Sequence, residues 1–247
     1  MNPAEFAFLI LAGFAAGLIG YITGLASVVS YPALLAVGLP PVAANVTNTV
    51  SLVAVGIGST AQSGRVLLDG DRRRLIGGSI VSLIGGTIGA VTLLTTPADA
   101  FEAVVPYLVA VAAIALLLQP TLRRWATKHE DRPGVWLLGL LVISIYGGYF
   151  GAGAGIMVLA LMLVLTTEPL WRAALSKSVF LGIANTVAAV GFMFFGPVHW
   201  LAALAMAIGC LAGGYCGPPV VKRLPAGPLR IVVALGGLAL AVWLAVR

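Results

Sequence analysis

The chain reads as an all-α polytopic membrane protein made of two homologous halves, and three observations lead there. First, 60% of its 247 residues are hydrophobic and 9% are charged, where a soluble domain carries about 25% charged residues; the mean hydropathy is +1.08. Second, the apolar residues fall into eight segments, two of them far longer than one crossing requires. About 20 helical residues cross ~30 Å of hydrocarbon. Third, features recur at a near-constant offset. Gly20 and Gly147, and Gly24 and Gly151, are 127 positions apart; Gly85-Gly86 and Gly213-Gly214, and Asp71 and His199, are 128 apart; Ala43-Ala44 and Ala173-Ala174 are 130 apart.

Taken in order, the first apolar unit covers about 3–38. Glu5 is the only charged side chain of its first ten residues, so it reads as a membrane segment rather than a cleaved signal peptide. Gly17, Gly20, Thr23 and Gly24 at its middle predict two short helices, about 4–19 and 25–37, meeting at a break. Leu39-Pro40-Pro41 closes the unit, because proline cannot continue a helix. A span at about 42–62 opens on Asn45, Thr47, Asn48, Thr49 and Ser51, and a loop follows with Arg65, Asp69, Asp71, Arg72, Arg73 and Arg74. Spans at about 75–95 and 101–118 flank Asp99 and Glu102, and Gln119-Pro120 ends the first repeat, 1–120. The polar segment 121–133 reads as a cytoplasmic linker. The second repeat, 134–247, opens with a long apolar stretch to about 166. Gly147, Gly148, Gly151, Gly153 and Gly155 break it at 147–155. Spans at about 170–195 and 199–216 follow, then a last segment ending near Val246. Each half is thus a broken or re-entrant helical unit followed by three transmembrane helices, up to ten helices in all.

Charge orients this plan. If each long stretch crosses once, the basic loops 65–74 and 121–132 share a side while 222–230 falls opposite. That conflicts with the excess of Lys and Arg expected in short cytoplasmic loops. If each long stretch enters and returns, all three loops face the cytoplasm and the acidic 96–102 faces out. Both termini then lie outside, which suits Glu5 and not Arg247. The second half becomes inverted relative to the first, the inverted-repeat plan of many secondary transporters.

An open backbone inside a membrane is tolerated where it is buried in protein or lines a cavity, and paired glycine-interrupted segments point to a transporter's binding site. Helix N-termini present free N–H groups and partial positive charge, so half-helices starting near Ser27 and Gly155 make a site for an anion. Gly24, Gly151, Gly153 and Gly155 let an oxyanion approach the backbone, with Thr23 and Ser27 as hydroxyl donors; Gly17 and Gly20 read as helix-packing residues. Lys177, about seven residues into its span, is either an anion ligand or a snorkelling cation. The lining expected is Asn45, Thr47 and Asn48 opposite Lys177, Ser178 and Asn185. His199 beside Trp200, and the five tryptophans near span ends, read as interfacial.

The chain contains no H-E-x-x-H, no nucleophile elbow and no carboxylate at a span centre, so it does not read as an enzyme, and no motif calls for a cofactor or metal. The net charge of +6 sits mostly in loops between spans, a topology signal rather than a nucleic-acid footprint. Cys210 and Cys216 read as small buried apolar side chains. An anion channel and a non-transporting structural membrane protein are the alternatives to a carrier.

The assembled motifs resemble the sulfite exporter TauE/SafE family, also called the toluene sulfonate uptake permeases. They are Gly151-Ala152-Gly153-Ala154-Gly155; Tyr31-Pro32 followed by Leu39-Pro40-Pro41-Val42-Ala43-Ala44; and Ser176-Lys177-Ser178 with Asn185. The first Gly-rich motif is reduced to Gly24-Leu25-Ala26-Ser27, and Leu159 stands where the first half has Pro32. The resemblance covers nearly the whole chain. It implies a permease or exporter of small sulfur-containing anions such as sulfite, thiosulfate or organosulfonates, multi-pass in the inner (cytoplasmic) membrane. Its partners would be the anion and membrane lipid, with a homodimer left open.

Overall fold

The computed structural model describes residues 1–23, 26–67, 72–125, 133–168, 170–221 and 226–246. Among them the chain forms ten helices and no strand. The first half holds α1 (Pro3–Thr23), α2 (Ala26–Ala36), α3 (Pro41–Leu67), α4 (Arg72–Thr95) and α5 (Ala98–Trp125). The second holds α6 (Pro133–Tyr149), α7 (Ala154–Leu165), α8 (Leu170–Phe195), α9 (Trp200–Val221) and α10 (Ala226–Val246). Both long apolar stretches are therefore broken pairs of helices, as their glycines predict. Most of the expected linker, 126–132, lies outside the described residues, and α5 runs past Pro120 into its first residues.

Two boundaries differ from the sequence expectation for physical reasons. The end of α2 is set by Gly38, not by Pro40. At φ 87° Gly38 turns the chain so that its N–H bonds to the Leu35 carbonyl at 2.9 Å and the Leu39 N–H to the Leu34 carbonyl at 3.2 Å. This is the closure a left-handed residue gives a helix C-terminus, and Pro41 then opens α3 where a missing N–H costs nothing. The second break is also narrower than 147–155, because Gly147, Gly148 and Gly155 are helical. At Gly148 the missing side chain serves packing. A Cβ there would lie 2.3 Å from the Gly86 carbonyl oxygen of α4.

Close glycine contacts join helices from different halves. Gly85 meets Leu141 to Ile145, and Gly89 meets Ile145 to Tyr149, so α4 and α6 run parallel in backbone contact. In the same way Gly13 meets Met206 to Cys210 and Gly17 meets Cys210 to Gly214, which sets α1 on α9. Gly17 is a packing residue, as expected, and so is Gly20, whose Cβ position lies 2.7 Å from Ala26 Cβ.

Helix directions follow from these pairings. The His199 N–H donates to Thr47 Oγ1 at 3.0 Å and Ser51 Oγ to the Ala203 carbonyl at 3.2 Å, so α3 runs with α9. Gly78 lies beside Phe180 and Gly86 beside Ala184, so α8 runs with α4. The end of α8 meets the starts of α3 and α9, with Val46 beside Gly196. Helices α1, α3 and α9 thus point one way and α4, α6 and α8 the other.

The α6–α7 unit is a hairpin that returns to the side it left. Trp136, in its first turn, packs under Arg74, whose guanidinium carbon is 5.9 Å from the ring centroid. Glu168, just past its end, lies 3.5 Å from Arg74 Nη1 and 3.6 Å from Arg172 Nε. One arginine at the start of α4 therefore touches both ends of the unit. Gly139 facing Leu161 confirms that the arms are antiparallel. The outer surface is apolar: Ile76, Ile80, Leu83, Ile84, Ile88 and Val91 of α4 are exposed, as are Phe194 and Phe195. Such a surface fits a hydrocarbon surrounding rather than water. By length and composition, four of the described helices can cross a membrane: those containing 3–20, 72–95, 98–118 and 172–195.

The glycine contacts predict a contrast. Gly89→Ala puts a Cβ 2.1 Å from the Ile145 carbonyl oxygen and must push α4 from α6, at a cost of about 1–3 kcal/mol. Gly182→Ala meets nothing within 4 Å. In detergent, the first variant is expected to unfold at a clearly lower temperature and the second at or above the wild-type midpoint.

Candidate functional site

The polar row that opens α3 is fully inside the protein: Asn45, Thr47 and Ser51 are 0% exposed, Asn48 1% and Thr49 6%. Neighbouring residues of a helix point about 100° apart, and the row accordingly serves three neighbours. Asn45 Nδ2 donates to the Tyr149 carbonyl at the end of α6, 2.9 Å away. Thr47 Oγ1 accepts the backbone N–H of His199 before α9. Asn48 meets the Ser30 hydroxyl of α2. Thr49 and Ser51 return their hydroxyls to the carbonyls one turn back, of Asn45 and Thr47, as Ser and Thr do inside helices.

The tip of the α6–α7 hairpin is built with equal economy. Gly151 (φ 78°) and Gly153 (φ 80°) adopt left-handed backbone, which other residues enter at a cost of about 1–2 kcal/mol. The Gly151 N–H returns to the Tyr146 carbonyl at 3.0 Å, and the Tyr146 hydroxyl spans the turn to the Ala152 carbonyl at 2.6 Å. A Cβ on Gly153 would lie 3.1 Å from Ala112 Cα of α5. Gly155 is buried in the first turn of α7. Asn185 of α8 stands at the same tip, its Oδ1 3.8 Å from the Cβ position of Gly151.

The second half-helix reaches the same region. Ser27, in the first turn of α2, is 8% exposed. Its neighbour Val28 and Ala113 of α5 both lie against Gly237 of α10, 3.4 and 3.2 Å from that residue's Cβ position. Gly153 thus packs on Ala112 near the middle of α5, and Val28 borders the same α10 glycine as Ala113, the next residue of α5. Thr23 ends α1 and only its backbone is described; Gly24 lies outside the described residues.

The structure divides the expected lining. It brings Asn45, Gly151, Gly153, Gly155 and Asn185 to one break, with Ser27 at the companion N-terminus. It does not set Lys177 and Ser178 opposite Asn45, Thr47 and Asn48. Helix α3 runs against α8 and Val46 is level with Gly196, so Lys177 lies about 28 Å along α8 from that level and about 12 Å from Asn185. Lys177 is 9% exposed, at the hairpin end that carries Arg74, Glu168 and Arg172. Ser178 Oγ donates to the Ala174 carbonyl. His199 is exposed, and its Nδ1 accepts the Ala202 N–H at 3.3 Å, which caps α9. Trp136 is 2% exposed against Phe180 and so leaves the expected interfacial belt, whereas Trp200 and Trp243 are exposed.

Several residues of this region stand outside the lining read from sequence. Tyr146 carries a readable signal, a hydroxyl five residues before Gly151 inside an apolar span, where it must find a partner. Tyr31 and Phe150, whose rings meet edge to face at 5.3 Å, and Ala112 have no signal beyond hydrophobicity, since only the fold sets them at the tip.

Two broken helical units packed with longer helices inside an apolar shell define a multi-pass membrane protein. The chain belongs to the sulfite exporter TauE/SafE family, whose model matches residues 9–244, and it is a membrane transporter. It is 29% identical over 242 residues to the probable membrane transporter protein ORF9 of a Sinorhizobium species, covering 96% of this chain and 90% of that one. A probable membrane transporter protein of Haemophilus influenzae is 28% identical over 238 residues, 93% of this chain and 90% of that one. The probable membrane transporter protein YfcA of Escherichia coli K12 is 26% identical over 230 residues, 90% and 82% of the two chains.

The tip geometry is testable. Gly153→Ala combines a left-handed backbone with a close approach to Ala112, and is expected to lower stability by about 2 kcal/mol or more. Gly134→Ala, with open space around it, should leave the unfolding midpoint unchanged.

Proposed function

We propose that the protein is a secondary carrier of small sulfur-containing anions, such as sulfite, thiosulfate or organosulfonates, in the inner membrane. The observation that carries this reading is the packing of the α7 N-terminus on Ala112 at the middle of α5, with Val28 of the first turn of α2 bordering the same Gly237 as Ala113. Two helix N-termini supply partial positive charge without a fixed cation. Gly151, Gly153 and Gly155 let the anion reach the backbone, Ser27 adds a hydroxyl, and Asn45 and Asn185 orient it. Lys177 lies between this point and the basic end of the hairpin, and serves as a buried counter-charge on the anion's path. The family's name supports the sulfur chemistry.

The opposed directions of α1 and α6 suit two inverted repeats with the site at the midplane between them. With both long stretches entering and returning, Arg72, Arg73, Arg74 and Arg172 share the cytoplasmic side, in keeping with the excess of cations expected there. The halves are then 1–120 and 134–247, with 121–133 as the cytoplasmic linker between them.

Thermal unfolding of the purified protein with sulfite, thiosulfate, sulfate, sulfoacetate, taurine, acetate and chloride tests the reading. A ligand at a hundred times its dissociation constant stabilises by about 2.7 kcal/mol. At least one sulfur anion is expected to do so and acetate and chloride not, with the effect removed by Lys177→Ala. A well-folded protein indifferent to the whole panel argues against an anion carrier. Saturable uptake into proteoliposomes, rather than flux linear in concentration, distinguishes a carrier from a channel.

A further inference from the structure

Two polar groups from the first half stand beside the tip of the second hairpin without a hydrogen-bond partner among the described residues. Asn45 is 0% exposed and its Nδ2 donates to the Tyr149 carbonyl. A carbonyl only accepts, so the amide orientation is settled: nitrogen on Tyr149, Oδ1 on the other side. That Oδ1 is buried and has no hydrogen-bond partner among the described residues. Tyr31, 1% exposed, packs its ring on Phe150, the next residue of the tip, and its hydroxyl is likewise buried and unpaired among the described residues. The two do not bond to each other. By contrast Asn48 and Thr47, on the same helix, both have partners.

The chemistry of the pair is specific. Oδ1 can only accept, while the Tyr31 hydroxyl can donate. A fully deprotonated oxyanion accepts from Tyr31 but sets a lone pair against Asn45 Oδ1. An anion with its own O–H or N–H satisfies both. We infer that the site at the α6–α7 tip selects anions carrying a hydrogen-bond donor, hydrogen-bearing sulfur oxyanions or hydroxy- and aminoalkanesulfonates, with Asn45 as the acceptor and Tyr31 as a donor to the anionic group. This rests on the anion-carrier reading above and adds a specificity determinant to it. Both side chains come from the first half and the turn from the second, so the site is complete only when the halves are packed.

The test compares hydroxyethanesulfonate with propanesulfonate, which has the same charge and similar size but a methyl group in place of the hydroxyl. Binding to the full-length purified protein is measured by calorimetry. The wild type should bind the hydroxy compound at least about ten-fold more tightly, because a site built to pair a donor rejects its apolar analogue. Asn45→Leu, or Asn45→Ala should the first not fold, is expected to bring the ratio close to one. Tyr31→Phe should weaken both ligands alike and keep the ratio. Equal wild-type affinities overturn the inference and leave the carrier reading standing, with an ordinary bridging water meeting Asn45. A wild-type preference unchanged in a folded Asn45 variant overturns it as well. If neither these sulfonates nor any sulfur anion of the wider panel binds, it is the carrier reading itself that fails.

Discussion

Hydrocarbon offers no partner to a peptide N–H or C=O, and most of this architecture follows from meeting that constraint around two broken helices. Each break frees backbone groups at a helix end inside the protein. At the second break the freed groups are taken up by nearby donors and acceptors. Asn45 takes the Tyr149 carbonyl, Tyr146 the Ala152 carbonyl, and Gly151 turns its own N–H back to Tyr146. The first N–H groups of α7 are turned back as well, that of Ala154 to Gly151 and those of Ile156 and Met157 to Gly153, so what this buried helix end presents is the partial positive charge of its dipole.

Hiding those ends requires the helices around them to approach very closely. With lipid outside, apolar side chains gain little by moving from lipid into the bundle, and close van der Waals packing between small residues takes over as the cohesive force. The Gly85, Gly86 and Gly89 edge of α4 lies in backbone contact with α6 and α8, and the Gly209 and Gly213 edge of α9 does the same with α1. These contacts tie α1 to the second half and α6 to the first, so neither half encloses its own broken hairpin. The site is shared between the halves for the same reason.

Charge closes the base of the second hairpin. Arg74 and Arg172 flank the Glu168 carboxylate, and Arg74 also covers Trp136. The Glu168 carboxylate, 10% exposed, holds its charge between these two cations. Because one partner is on α4 and the others are on or beside α7 and α8, the cluster fixes where the hairpin returns. Lys177, 9% exposed, follows Arg172 by five residues along α8.

Much of this was legible in the residues alone. Composition alone determined a polytopic helical membrane protein, because nothing else tolerates so little charge. The glycine clusters determined that both long stretches break. The rest is decided by tertiary contact. Gly147 and Gly148 look identical in sequence to Gly151 and Gly153, yet one pair stays helical and the other turns the chain. The difference is the surface of α4 that packs against Gly148. Lys177 and Asn48 are both polar residues near the start of a span, and their distance apart follows from α3 and α8 running in opposite directions, which periodicity does not encode. Tyr31 is one apolar-flanked aromatic among many until the fold sets it on Phe150. Local sequence determines where a helix starts and fails; which side chain meets that failure depends on residues more than a hundred positions away, and only packing selects them.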